Sequence, residues 1–265
     1  MPDVQKINLA GGKLTGARTG SGPDLLVIHS LLADRAAFEP VLPWLAQRFR
    51  VTLVNLPGFH GSEPIPPGIE NYADRIAAVF DGEGLARDTI IIANGFGGTI
   101  AAAIAIRHGD KFGRLVLSDA AAGFPPEGRK AFEVMAEKVA KEGIASVATI
   151  AANRVFHEAY LDAHTQAIEQ RRKVLLAVAP EAFIAACRTL MQTDLVPQLS
   201  GIRNPTLVIC GELDAATPPP LCRQMAEHIP GARYVELAGC GHCPPLEQPD
   251  VFIDAIADFV LLPDR

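Results

Sequence analysis

The chemistry this chain of 265 residues can do is concentrated in a few short, mostly glycine-rich stretches. Gly239-Cys240-Gly241-His242 puts an imidazole, the group best suited to moving protons near neutral pH, in a turn where a bulky core histidine would be out of place. Gly211-Glu212-Leu213-Asp214 offers two carboxylates. Asp214 is a candidate partner for a histidine, and equally a turn or capping acid ahead of Thr217-Pro218, with Glu212 as its understudy. Asp119 is a further acid and reads as a cap. Upstream, His29-Ser30-Leu31-Leu32 sets a hydroxyl beside a histidine, and a second turn runs from Asn55 to Ser62 through His60. His29 reads as a structural histidine bonding loop backbone, and His60 as facing solvent. Ala93-Asn94-Gly95-Phe96-Gly97-Gly98 is a tight turn whose centre carries no side chain at all.

The cysteines are Cys187, Cys210, Cys222, Cys240 and Cys243. An odd number, confined to the C-terminal half, argues against a disulfide framework. Cys240-Gly241-His242-Cys243 has the spacing of a redox pair, but it follows a late strand and precedes Pro244-Pro245, the wrong setting for one. Zinc lacks a second ligand pair at metal spacing. No metal and no cofactor are expected.

These loops need a scaffold, and the apolar pattern supplies one. Short β-branched runs at 25–28, 51–54, 89–92, 114–117, 206–209 and 233–237 alternate with helical spacing, which predicts a mostly parallel sheet buried on both faces. Segments 5–10 and 14–18, joined across Gly11-Gly12, predict an antiparallel hairpin at one edge. Between the fourth and fifth of those runs lies a long stretch with no strand pattern. Helices are expected there at 129–142, 144–156, 160–176 and 181–192, forming a cap over one end of the sheet. Another helix, at 35–47, carries Trp44 as a packing residue. In open α/β sheets ligands bind beyond the carboxyl ends of the strands, where the loops named above fall.

Composition narrows the function. The chain is 49% hydrophobic and 20% charged, ample for a core and unlike a disordered chain. A net charge of −6 leaves no basic footprint, so neither nucleic acid nor an anionic membrane is an expected partner. The most apolar stretch, 90–106, is interrupted by Asn94 and glycines and is too broken to span a bilayer. Met1-Pro2-Asp3-Val4-Gln5-Lys6 lacks the pattern of a secretory leader. A cytoplasmic protein with a small-molecule substrate is expected; nothing in the sequence fixes its oligomeric state.

Taken in order, these segments resemble the α/β-hydrolase fold family over nearly the whole chain: the His29 loop, the Leu56-Pro57-Gly58 turn, the sharp elbow at 93–97, a helical insertion, Asp214 and His242. The stretch from Asn204-Pro205-Thr206 through Asp214, His242 and Glu247-Gln248-Pro249 is similar to the small hydrolases that include 3-oxoadipate enol-lactonase. The resemblance implies a hydrolase core at 1–122 and 194–265 with a helical cap at 123–193. It implies His242 as general base and acid, Asp214 as its orienting partner, and the N–H groups of Phe96 and Leu31 as an oxyanion hole.

The chain departs from the family pattern twice. Gly95 stands at the nucleophile position of the G-x-S-x-G elbow, and His29-Ser30 replaces the usual His-Gly. An elbow residue other than glycine carries strain of about 1–3 kcal/mol, so the turn should survive without its serine. Gly95 is read either as natural divergence or as a substitution made to trap a ligand. The second departure, at Ser30, favours divergence.

The function implied is a hydrolase of a small ester, lactone or related carbonyl compound, relying on a His-Asp pair and an oxyanion hole. The alternatives are an inactive or trapped esterase, in which Gly95→Ser raises activity by orders of magnitude, and a ligand-binding receptor. Ser30 is a possible substrate-binding hydroxyl; as a nucleophile it lacks the elbow that would aim it. The cap supplies Arg154, Arg171, Arg172, His157 and His164. Of these, Arg154 is the candidate for a substrate carboxylate such as an enol-lactone carries.

Overall fold

The computed structural model describes residues 3–261, the side chains of Ala152, Ala167, Ile168 and Arg171 excepted. The chain enters through an antiparallel pair, β1 (Gln5–Leu9) and β2 (Leu14–Thr19). There follow β3 (Asp24–Ile28), a 3₁₀ turn (Arg35–Phe38), α1 (Leu42–Ala46), β4 (Arg50–Val54), α2 (Ile69–Glu83), β5 (Ile90–Asn94), α3 (Phe96–His108) and β6 (Arg114–Ser118). Five helices come next: α4 (Pro126–Glu142), α5 (Ala145–Val155), α6 (Glu158–Ala163), α7 (Thr165–Leu176) and α8 (Pro180–Gln192). The chain then returns through β7 (Thr206–Gly211), α9 (Pro219–His228), β8 (Arg233–Leu237), α10 (Pro244–Glu247) and α11 (Pro249–Val260). This is the α/β-hydrolase fold, and its sheet runs β1-β2-β4-β3-β5-β6-β7-β8. Pairing is antiparallel from β1 to β4 and parallel from there to β8.

The uninterrupted apolar runs explain the sheet. Every residue of β3, β5 and β7 is buried, as befits strands covered on both faces. Register aligns their carboxyl ends: Ile28 opposes Ala93, Asn94 opposes Ser118, Ser118 opposes Ile209 and Gly211 opposes Leu237. Val54 of β4 also opposes Ile28, so six loops leave the sheet at the same end, and they are the loops that carry the candidate residues.

α3 is buried from Phe96 to Ala105, held between the sheet and α2. Its start lies hard against the end of β3: a Cβ on Gly97 would sit 2.5 Å from the His29 carbonyl oxygen and 2.6 Å from that of Ile28. Glycine is what lets this helix begin beside the β3 loop.

Two expected helices are divided. The segment 35–47 is a 3₁₀ turn and then α1, since Pro40 lacks the N–H that a continuous helix would use. Trp44 does pack, with the Arg48 guanidinium 4.3 Å over its ring. The segment 160–176 breaks at His164, whose N–H and Nδ1 both engage the Tyr160 carbonyl, at 3.0 and 3.1 Å. That local bond competes with helix continuation. Where α4–α8 leave and rejoin the sheet, Gly123 and Asp194 form an isolated antiparallel bridge and Leu195 N–H donates to the Ala122 carbonyl at 2.8 Å. Among the described residues no helix is long and apolar enough to cross a membrane.

Candidate functional site

The turn after β8 is pinned from several sides. Gly239 takes φ +65°, and the Glu247 carboxylate accepts the N–H groups of Gly241 and Cys243 at 3.0 and 3.1 Å. His242 N–H donates to the Val155 carbonyl (3.1 Å), while the Asn94 side-chain amide donates to the His242 carbonyl (3.0 Å). The imidazole is thus set by β8, β5 and the end of α5 together.

His242 Nδ1 lies 2.8 Å from Asp214 Oδ2, and both side chains are almost wholly buried. The other Asp214 oxygen accepts the N–H groups of Ala216 (2.7 Å) and Thr217 (3.0 Å), and the Thr217 hydroxyl donates to Oδ2 (2.6 Å). Burial on its own would raise the pKa of Asp214; His242 and the Thr217 donors outweigh it and hold the group below the ordinary carboxylate value. Asp214 therefore remains an anion, Nδ1 carries the proton, and Nε2 presents a lone pair on the far side of the ring. Asp214 thus contacts both its own turn and the imidazole.

Nε2 points at two residues. Ser30 Oγ lies 3.4 Å away. Gly95, between β5 and α3, takes φ +56° and ψ −123°, and its N–H donates to the Ser118 carbonyl at 2.9 Å. A Cβ on Gly95 would overlap Ser30 Oγ, and would lie 2.8 Å from Ser30 Cβ and 2.9 Å from His242 Nε2. A serine placed at 95 therefore does not enter open space, which revises the expectation that this one replacement suffices. Phe96 opens α3, so its N–H is among those with no partner inside the helix. Leu31 follows Ser30 on the facing loop, and both residues line the same cavity.

That cavity, about 40 Å³, is bounded by Ser30, Gly95, Phe96 and His242 below and by Phe124, ahead of α4, and Phe132, Met135, Arg154 and Leu190 of the helices between β6 and β7. Arg154 is thus placed at the pocket. Arg172 pairs with Glu169, His157 approaches Glu247 and His164 stacks on Tyr160, while the side chain of Arg171 lies outside the described ones. His29 is structural as expected: Leu56 N–H donates to its Nε2 (3.1 Å), and its Nδ1 bonds the Ser30 carbonyl (2.8 Å).

Several expectations are corrected. His60 is half-buried and edge-on to His29, because its turn folds back beneath the His29 loop. Glu212 is exposed and accepts Gly239 N–H (2.8 Å), so it serves the turn rather than the imidazole. Asp119 caps no helix; it is fully buried at φ +52°, accepting from Gly211 N–H (2.8 Å) and Ser118 Oγ (2.6 Å). Burial, then the charge on Asp214, pushes Asp119 well above the ordinary carboxylate value. Donor atoms of Asp119, Cys210 and Asp214 lie within 4.8 Å of one another, but the carboxylate oxygens are already turned to protein donors. Cys240 and Cys243 are both buried and form no disulfide, and burial raises the Cys240 thiol, the reverse of a redox thiolate. Sequence reasoning missed Thr217, Asn94 and Glu247; the only trace of Thr217 is its position three residues after Asp214.

The family model described as "Alpha/beta hydrolase family" matches residues 25–255. Among curated relatives, the pimeloyl-[acyl-carrier protein] methyl ester esterase of Aeromonas hydrophila is 28% identical over 92% of this chain and 97% of its own length. The 3-oxoadipate enol-lactonase 2 of Acinetobacter baylyi is 24% identical over 88% and 87%. Among solved structures, the enol-lactonase of Burkholderia xenovorans superposes with a TM-score of 0.89 at 28% identity, covering 97% of this chain and all of that one. A thermophilic esterase from Thermogutta terrifontis gives 0.84 at 30% identity, covering 97% and 98%.

Proposed function

The chain belongs to the alpha/beta hydrolase family, and on that premise we propose that it hydrolyses a small carboxylic ester, lactone or related carbonyl compound with His242 as the proton-transfer group. The observation carrying this reading is a buried, carboxylate-backed imidazole whose Nε2 faces a pocket beside the start of α3. A base there takes the proton of an attacking O–H and returns it to the leaving oxygen, work worth about 10²–10⁴-fold in rate. The N–H groups of Phe96 and Leu31 hold the oxyanion that forms meanwhile. In this reading Gly95 marks the position where the family carries its serine.

Residues 123–193 act as a cap. The Gly123–Asp194 bridge supports that division, as does the apolar roof of Phe124, Phe132, Met135 and Leu190. About 40 Å³ holds a few waters and not an ester, so the cap has to shift to admit substrate. Arg154, the cation in that roof, takes a substrate carboxylate when one is present. The names of the relatives support an ester or lactone as the class. A panel of short-chain esters and enol-lactones, assayed with the wild type and His242→Ala, tests the reading. Turnover of at least one compound, lost in the variant, supports it; binding without turnover in both proteins favours a receptor instead.

A further inference from the structure

We propose that Ser30 is the nucleophile of this site, carried on the loop after β3 rather than on the turn after β5. The inference rests on the reading of His242 as the base. Ser30 Oγ is the hydroxyl facing Nε2, at 3.4 Å; the Thr217 hydroxyl lies on the opposite side of the ring, 3.2 Å from Nδ1. The Ser30 hydroxymethyl group fills the volume that a side chain on Gly95 would take, since a Cβ there would overlap Ser30 Oγ and reach 2.8 Å from Ser30 Cβ. Serine and glycine have in effect exchanged loops while the hydroxyl stays beside the same imidazole.

The surroundings fit the exchange. The N–H groups of Phe96 and Leu31 follow the two exchanged positions directly, so swapping serine and glycine between them leaves the same pair of amides to hold an oxyanion. Leu56 N–H donates to His29 Nε2, which fixes Nδ1 as the donor to the Ser30 carbonyl. That bond anchors the Ser30 backbone, so His29 is a positioning residue for Ser30. Gly95, with no side chain, leaves room for the hydroxyl.

The reaction then runs in two halves. Ser30 Oγ bonds to the carbonyl carbon and its proton passes to His242 Nε2; the C–O bond of the alcohol breaks and that oxygen takes the proton from Nε2. Water next attacks the acyl-Ser30 ester, giving its proton to Nε2, and the acid leaves as Ser30 Oγ is reprotonated.

The test uses a fluorophosphonate, which phosphonylates activated serines, followed by peptide mass spectrometry, alongside ester kinetics of the wild type, Ser30→Ala, Ser30→Cys and His242→Ala. The proposal expects one phosphonyl adduct, on Ser30, that is absent in Ser30→Ala and His242→Ala. It also expects kcat to fall about 10³-fold or more in Ser30→Ala with KM little changed, and expects Ser30→Cys to retain a slow activity that iodoacetamide abolishes. If His242→Ala loses turnover while Ser30→Ala keeps it and no adduct forms on Ser30, His242 activates water and only the assignment of Ser30 falls. An adduct on another residue has the same consequence. If the wild type neither turns over any ester nor reacts with the probe, the hydrolase reading falls with it.

Discussion

Placing a serine at 95 separates backbone strain from steric overlap. At φ +56° and ψ −123° Gly95 occupies a region that side chains other than glycine reach only at a cost of about 1–3 kcal/mol. The new Cβ also runs into the buried Ser30 hydroxymethyl group, whose Cβ would lie 2.8 Å away, adding overpacking of about 1–3 kcal/mol. Gly95→Ser alone should therefore destabilise the fold by about 2–6 kcal/mol, a large part of the margin of a typical domain. On a Ser30→Gly background the two Ser30 contacts are gone, and the backbone share and the 2.9 Å approach to His242 Nε2 remain. Urea unfolding of the wild type, both single variants and the double variant, followed by far-ultraviolet circular dichroism, measures the coupling between the sites. The expected value is about 1–3 kcal/mol in favour of the double variant. Effects that add to within about 0.5 kcal/mol would refute the claim that Ser30 stands in the space of a side chain at 95.

Asp119→Asn should alter how stability depends on pH. Its folded-state pKa is raised above the ordinary 3.8, so from about 3.8 upward the folded chain keeps a proton that the unfolded chain has released. Stability contributed by that proton is lost as pH rises through the window, and the asparagine variant, which still offers an acceptor to Gly211 N–H, lacks this slope. Urea midpoints at increasing pH should show the wild type losing ground to the variant; parallel profiles would contradict the assignment. The cysteines give a simpler check. Cys187, Cys210, Cys222, Cys240 and Cys243 are all buried and form no disulfide, so a disulfide-exchange reagent should find almost no thiol in native buffer and all five in denaturant. Rapid reaction of the Cys240–Cys243 pair in native buffer would reopen its redox reading.

The sheet was legible because its central strands are buried on both faces, which leaves the unbroken apolar runs of β3, β5 and β7. The pairing of Asp214 with His242 was legible from loop order, since strands fixed in register bring the loops after β7 and β8 together. What stayed hidden depends on tertiary approach. Ser30 and His242 are 212 residues apart, and no local pattern shows that the start of α3 presses against the β3 loop and brings that hydroxyl to the imidazole. The burial of Asp119 and the pinning of the His242 turn by Asn94 and Glu247 were hidden for the same reason. Local propensity also misled at His164, where one side-chain bond to a carbonyl four residues back ends a helix whose apolar spacing runs on.

The most direct measurement is kcat/KM for one short-chain ester, determined in parallel for the wild type and His242→Ala. Loss of the base should lower it by about 10²–10⁴-fold. Equal values would show that the imidazole held by Asp214 takes no part in the reaction.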